Sequence, residues 1–386
     1  MVTALLHARV LAPEGWRDDV AVIVEHGRIR ELVPPRNVPA DAEVHDLSGR
    51  MLLPGFIDCQ VNGGGGVLLN DQPTVEGIRA IGEAHRRYGT TGFLPTLISD
   101  GPDKMRAAIG AVDAAIGHDV PGVLGIHLEG PFLSRDKRGV HDPKFLRTPN
   151  IDELRVAKSL ERGVTLLTLA PERVPADRIR ALAADGVIVA LGHSNADYAT
   201  VRSALDAGAR GFTHLFNAMS PLTSRAPGMV GAALDDTESW CGVIVDGHHV
   251  HRVSLRVALK AKPRGKVFLV TDAMPPVGAE NPSFRLNGAT ITARDGICQT
   301  ADGTLAGSAL SMIDAVRNTV TMLGVPLDEA ARMAATYPAD FLGLDATHGR
   351  IAPGYRADFT VVDHDLRVIE TWIEGSPQKT DHEAAG

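Results

Sequence analysis

The chain has 386 residues, a formal net charge of −8 and 22% charged residues, with 40 glycines and 24 prolines. That length exceeds a usual single core, so one large domain with a smaller module is expected. The acidic balance, without basic blocks, argues against nucleic acid or an anionic membrane as a main partner.

Cys59, Cys241 and Cys298 are few, odd in number and far apart, which fits a reduced, cytoplasmic chain better than a disulfide scaffold. The first nine residues lack a basic leader followed by a long apolar stretch, so no signal peptide is expected. No uninterrupted apolar stretch approaches the roughly 20 residues needed to span a bilayer.

Residues 1–53 read as short strands, at 4–10, 20–25, 29–33 and 43–47, punctuated by His26-Gly27 and Ser48-Gly49. The tail reads the same way around 358–362 and 368–373. Neither piece has enough apolar surface for a core of its own. Burial need therefore pairs residues 1–53 with 345–386 in one split β-sandwich.

Between them, strand-like runs alternate with helix-like ones. Eight runs lie near 56–60, 92–97, 123–128, 165–169, 187–191, 212–215, 242–245 and 267–271. Eight βα units predict an α/β fold, a (β/α)8 TIM-like barrel over residues 54–344. A segment near 284–303 alternates polar and apolar residues and predicts an inserted β-hairpin. Helices over 308–323 and 327–343 follow it.

Glu129, His193, His214 and Asp272 each follow an apolar run. A residue just past the end of a barrel strand sits at the mouth, where such folds keep their chemistry. Alone, each has a bland reading, as a solvated carboxylate or a satisfied core histidine. Together, one carboxylate and two imidazoles suit a catalytic divalent metal with an open position for water. Asp272 is then free to act as general acid/base. Such a set favours zinc, and iron, manganese and cobalt take the same geometry.

The first run adds a discriminating detail. Many barrel hydrolases of the amidohydrolase superfamily carry His-x-His there for a second metal, whereas this chain has Gln60 and Asn62. Neutral amides are poor ligands beside imidazole and carboxylate, so these are vestigial second-metal positions. No lysine ends the fourth run to bridge two ions. One metal per chain is expected.

Taken in order, several motifs are together specific: Pro54-Gly55-Phe56-Ile57-Asp58, His127-Leu128-Glu129-Gly130-Pro131-Phe132, Lys137-Arg138-Gly139-Val140-His141, Gly192-His193-Ser194, Thr213-His214-Leu215-Phe216-Asn217-Ala218-Met219-Ser220, Val270-Thr271-Asp272-Ala273-Met274 and Thr304-Leu305-Ala306-Gly307-Ser308. In these the chain resembles the N-acetylglucosamine-6-phosphate deacetylases of the amidohydrolase superfamily, from about residue 54 to 343. The resemblance implies removal of acetate from N-acetylglucosamine 6-phosphate, a step of amino-sugar recycling or catabolism. It implies that Glu129, His193 and His214 are metal ligands, that Asp272 is the acid/base and that His141 polarises the acetyl carbonyl. By the same likeness Val140, Asn217, Ala218, Arg225, Asp246, Gly247, His248, His249, Leu305, Ala306 and Gly307 are substrate contacts. It also implies a homodimer in which a neighbour lends Arg225 or His249.

An amide nitrogen leaves poorly unless protonated, so Asp272 would take the water's proton and return it to the amine. Arg225 offers a planar fork for phosphate oxygens, with His249 as a second donor. Two rivals remain. A deaminase or cyclic-amide hydrolase acts on a heterocycle and has no use for that clamp. A silent phosphosugar-binding barrel would have lost a ligand or the acid/base, yet all four residues are present.

Overall fold

The structure, a computed structural model, describes residues 2–294 and 296–380. Eight parallel strands run side by side in chain order: Phe56–Val61, Thr90–Ile98, Gly125–Glu129, Val164–Leu169, Ile188–Leu191, Gly211–Phe212, Trp240–Val243 and Val267–Leu269. A parallel bridge between Val61 and Ala273 brings the last unit back to the first. The fold is thus a nearly closed (β/α)8 barrel. Its strands are buried on both faces, as near-continuous apolar runs require when helices cover the outside.

The strands end earlier than hydrophobic runs alone suggest. The sixth has two residues and the eighth three, because His214 and Asp272 turn the chain into the left-handed region just beyond. Helices lie between most strands and start at readable caps. Thr74 accepts from Gly77 N–H, Asp197 from Thr200 N–H and Ser311 from Asp314 N–H, while Asn150 and Glu153 form a capping box. The stretch expected as one helix over 327–343 is two, Leu327–Ala334 and Thr336–Leu342. Pro338 has no N–H to continue the first helix, but it fits the opening turn of the second.

Strands from both ends of the chain make two further sheets. One has four strands, in the order Arg28–Val33, Ala21–Glu25, Val2–Leu6 and Glu43–Asp46. The other has six: Ser376–Lys379, Val368–Ile373, Phe359–Val362, Met51–Pro54, Arg9–Ala12 and Gly15–Arg17. Leu5, Val10, Val22, Leu52, Phe359, Val361 and Trp372 share one apolar cluster between the two. The run expected as a single strand over 4–10 serves both sheets, because His7 at φ 59° breaks it in the middle. Of the expected tail range 345–386, residues 381–386 lie outside the described ones.

Gly55 alone separates the six-stranded sheet from the first barrel strand. A Cβ there would come within 2.2 Å of Thr91 Oγ1, so only glycine fits. After the eighth strand the expected hairpin is a four-stranded antiparallel sheet: Ser283–Leu286, Ala289–Arg294, Ile297–Gln299 and Leu305–Ser308. Among the described residues, no helix is long and apolar enough to cross a membrane.

Candidate active site and metal centre

Glu129, His193 and His214 converge at the C-terminal mouth of the barrel, each offering a ligand atom within 4.8 Å of the others. Glu129 ends the third strand, and the turn after it needs Gly130. That residue has φ 87°, and an added Cβ would come within 2.3 Å of Ser99 Oγ. His193, His214 and Asp272 sit at φ 46°, 34° and 53°. Such backbone costs roughly 1–3 kcal/mol per residue and persists where surrounding structure imposes it, typically at functional sites.

His193 Nδ1–H donates to the Lys137 carbonyl at 2.8 Å, which leaves Nε2 as a lone pair facing inward. That nitrogen stands 3.2 Å from Glu129 Oε1 and 3.0 Å from His214 Nε2. His214 Nε2 is 3.0 Å from the same carboxylate oxygen. Burial opposes ionisation of Glu129, and positive charge or a proton on the imidazole side facing it outweighs burial and holds its carboxyl well below the usual range. Three acceptors packed this closely in a buried place repel unless a cation or proton lies among them. The donor set therefore fits a single divalent ion with mixed nitrogen and oxygen ligands.

Asp272 lies beside this cluster. Asn62 donates to its Oδ1 at 2.7 Å and Gln60 at 3.1 Å. Burial first, and the charge of Glu129 second, push its carboxyl up to about 6. His141 Nδ1 accepts from Ser99 N–H at 3.2 Å and lies 2.7 Å from Ser99 Oγ, so the neutral ring carries its proton on Nε2. Burial, then His193, lowers its pKa to about 3 and keeps the ring neutral. His127, two residues before Glu129 on the same strand, packs its nitrogens against Thr96 and Thr168 and is a satisfied core histidine.

These groups share a cavity of about 340 Å³, near the lower end of the roughly 300–1,000 Å³ usual for ligand pockets. Glu129, His193, His214, Asp272, His141, Asn62, Val140, Asn217, Ala218, His249, Leu305 and Gly307 line it. His249 is fixed by Asp246, whose Oδ2 lies 2.6 Å from Nδ1 and whose Oδ1 accepts from the His248 and His249 amides. Asp246, Gly247, His248 and Ala306 are not among the lining residues. Arg225 lies on an exposed loop and is not among the lining residues.

Several contributors were not named as site residues from the sequence, among them Ile98, Gly139, Met274 and Thr304 on the cavity wall. Ser99 orients His141, and Asp136 and Lys137 line the cavity. Lys137 and its neighbours were readable only as part of a motif. The usable signal was a cation four residues before His141. The inserted sheet also reaches the site, since Asn287 Nδ2 donates to the Val140 carbonyl at 2.7 Å and Leu305–Ser308 edges the cavity.

A barrel carrying a carboxylate–imidazole–imidazole centre at its mouth defines a metal-dependent hydrolase class. The chain belongs to the amidohydrolase family, whose model matches residues 51–380. It is 44% identical, over 95% of its length and 94% of the relative's, to an N-acetylgalactosamine-6-phosphate deacetylase of Shewanella sp. (strain ANA-3). The crystal structure of N-acetylglucosamine-6-phosphate deacetylase from Pasteurella multocida superposes with a TM-score of 0.95 at 36% identity, covering 98% of this chain and 100% of that one. A Mycobacterium smegmatis N-acetyl-D-glucosamine-6-phosphate deacetylase was solved as an aspartate-to-alanine variant in complex with N-acetyl-D-glucosamine-6-phosphate. It superposes at 0.90 with 32% identity, over 97% of this chain and 99% of that one.

Proposed function

We propose that this protein hydrolyses the acetamide of N-acetylglucosamine 6-phosphate, releasing acetate and glucosamine 6-phosphate, in the cytoplasm. The observation that carries this reading is the convergence of Glu129, His193, His214, Asp272 and His141 on one cavity. Relatives of this activity span nearly the whole chain. A second reading, the galacto epimer as preferred substrate, is favoured by the 44% identity to a deacetylase of that sugar phosphate.

Glu129, His193 and His214 would hold one divalent ion, zinc by preference of the donor set. When bound, it supplies a Lewis acid that brings the pKa of water toward roughly 7. Asp272 presents Oδ2, since Oδ1 is taken by Asn62 and Gln60. That oxygen takes the proton of the attacking water and later gives it to the nitrogen as the C–N bond breaks. His141 Nε2–H donates to the acetyl oxygen as it gains charge.

His249, backed by Asp246, binds the sugar phosphate with Asn217, Ala218 and the edge of the inserted sheet. Arg225, exposed in a single chain, completes the phosphate clamp from a partner subunit in a homodimer. The same reading divides the chain into a sandwich of 1–53 with 345–386 and a catalytic barrel of 54–344.

Acetate release from the gluco and galacto 6-phosphates, beside their unphosphorylated sugars, tests the proposal on protein of measured metal content. No release from either phosphate would sink it, and the ratio of kcat/KM decides between the epimers.

A further inference from the structure

We propose that Asp58 and Thr271 are a positioning pair that sets the Asp272 carboxylate from beneath the cavity, an inference resting on Asp272 as the proton-transfer group. Asp58 is fully buried within the first barrel strand and does not line the cavity. A buried carboxylate without a role is costly, so its partners matter.

Its Oδ2 accepts from Thr271 Oγ1 at 2.5 Å, and its Oδ1 accepts from the backbone N–H groups of Gln60 at 3.1 Å and Thr271 at 3.3 Å. The Thr271 hydroxyl then accepts from Ala273 N–H at 3.2 Å. The hydroxyl proton is thus committed to Asp58, which leaves a lone pair aimed at the amide on the far side of Asp272. The residue between them is held at φ 53°.

The ladder of the eighth strand ends at Leu269, so it does not hold this turn. Further grips come from the Asn62 and Gly63 amides, which donate to the Ala273 carbonyl at 2.9 and 3.0 Å, and from Ser308, whose N–H donates to the Asp272 carbonyl at 2.9 Å and whose Oγ–H donates to the Thr271 carbonyl at 2.6 Å. Ser308 fixes the turn from the outside and the Asp58–Thr271 pair fixes it from the barrel interior. Gln60, whose N–H is tied to Asp58, also donates its side chain to Asp272. One buried carboxylate therefore orders both the turn that carries the acid/base and the strand that orients it.

Thr271→Val keeps the volume and the β-branch but loses the hydroxyl, Thr271→Ala loses both, and Thr271→Ser keeps the hydroxyl alone. A misplacement of about 1 Å at a reacting group costs on the order of 10²-fold. Val and Ala variants should lose kcat by about that factor, with KM for the sugar phosphate and metal content by elemental analysis within about twofold of the parent. Ser should recover most of kcat.

Asp58→Asn should lower kcat in the same sense and add little in the Thr271→Val background, as expected of residues acting through one contact. Three results would overturn the pair: kcat that follows the methyl rather than the hydroxyl, near-native turnover in Val and Ala, or independent losses for Asp58 and Thr271. Asp272→Asn in parallel separates the two ideas. If it retains turnover, the acid/base assignment falls. If it is inactive while Thr271→Val is not, only the positioning role falls.

Discussion

Asn62 donates its side-chain amide to Asp272 Oδ1 at 2.7 Å, and Gln60 reaches that oxygen and Glu129 Oε1 at 3.1 Å each. The two amides occupy the positions where other barrel hydrolases have metal-binding histidines. Here they bind Asp272, the proposed acid/base, instead, saturating one oxygen and leaving the other for the proposed proton transfer. Asn62→Ala removes the shorter bond and should lower kcat by about tenfold, the order expected for a hydrogen bond to a charged group. Steady-state kinetics at saturating substrate check it, and unchanged kcat would show that Gln60 alone suffices.

With those positions committed to hydrogen bonding, elemental analysis should find one divalent ion per chain. Chelation should abolish turnover and lower the thermal midpoint, because a ligand that binds only the folded state stabilises it and the three converging acceptors otherwise repel. Two ions per active chain would refute the single-metal assignment.

Asp272→Asn preserves shape and loses the proton acceptor. Turnover should fall by about 10²–10⁴-fold, the usual range for general acid–base catalysis, while metal content and substrate affinity persist. Near-native kcat would mean that another group moves the proton.

Arg225 is exposed and outside the cavity of a single chain. If a partner's copy clamps the phosphate, Arg225→Ala should cost roughly ten- to a hundredfold in kcat/KM on the phosphorylated sugar, mostly through KM. Unphosphorylated substrate should be little affected. Mixing inactive Asp272→Asn subunits with Arg225→Ala subunits should then restore activity above either parent, because one site of the hybrid is intact. Absence of restoration in proven hybrids would place the clamp within one chain.

His85 gives a pH prediction away from the metal. Its Nε2–H donates to the Gly63 carbonyl at 2.9 Å, and its buried Nδ1 has no partner. Burial pulls its pKa down to about 4, below the unfolded value of 6.5. The folded state resists protonation and the unfolded state does not. The stability held above pH 6.5 is therefore lost as pH falls from 6.5 toward 4. His85→Gln keeps a donor for Gly63 and should flatten the fall in thermal midpoint across that window. An unchanged acid slope would assign the fall to other groups.

The barrel class and the Glu129, His193 and His214 group able to hold a metal were legible because both depend on simple signals: apolar runs of strand length and chemically distinctive residues just beyond them. The strand ends were less so. The left-handed turns at His214 and Asp272 are held by tertiary clamps, the Gly242 carbonyl that accepts from Leu215 N–H and Ser308 that donates to Asp272, both far along the chain. Lys137 and Ser99 were missed for a related reason. A carbonyl that orients a ligand and a serine that fixes a tautomer have no pattern of their own. The insert was read as a hairpin because alternation shows strands but not how many turns divide them. Arg225 is legible as chemistry alone, since its position across or within a chain is not a local property.

The pairing of strand Met51–Pro54 with Phe359–Val362 has a consequence for synthesis. The segment reaching Leu52 and the start of the first barrel strand leaves the ribosome before the barrel, and the strand that pairs with it leaves only after the barrel. While the barrel is being made, the apolar faces of Leu5, Val10, Val22 and Leu52 wait for Phe359, Val361 and Trp372. A nascent chain stalled within the barrel thus exposes an unpaired sheet edge and an uncovered apolar face, the features that recruit chaperones and seed aggregation. Emergence of Phe359–Val362 and Val368–Ile373 is the event that releases the enzyme from that risk.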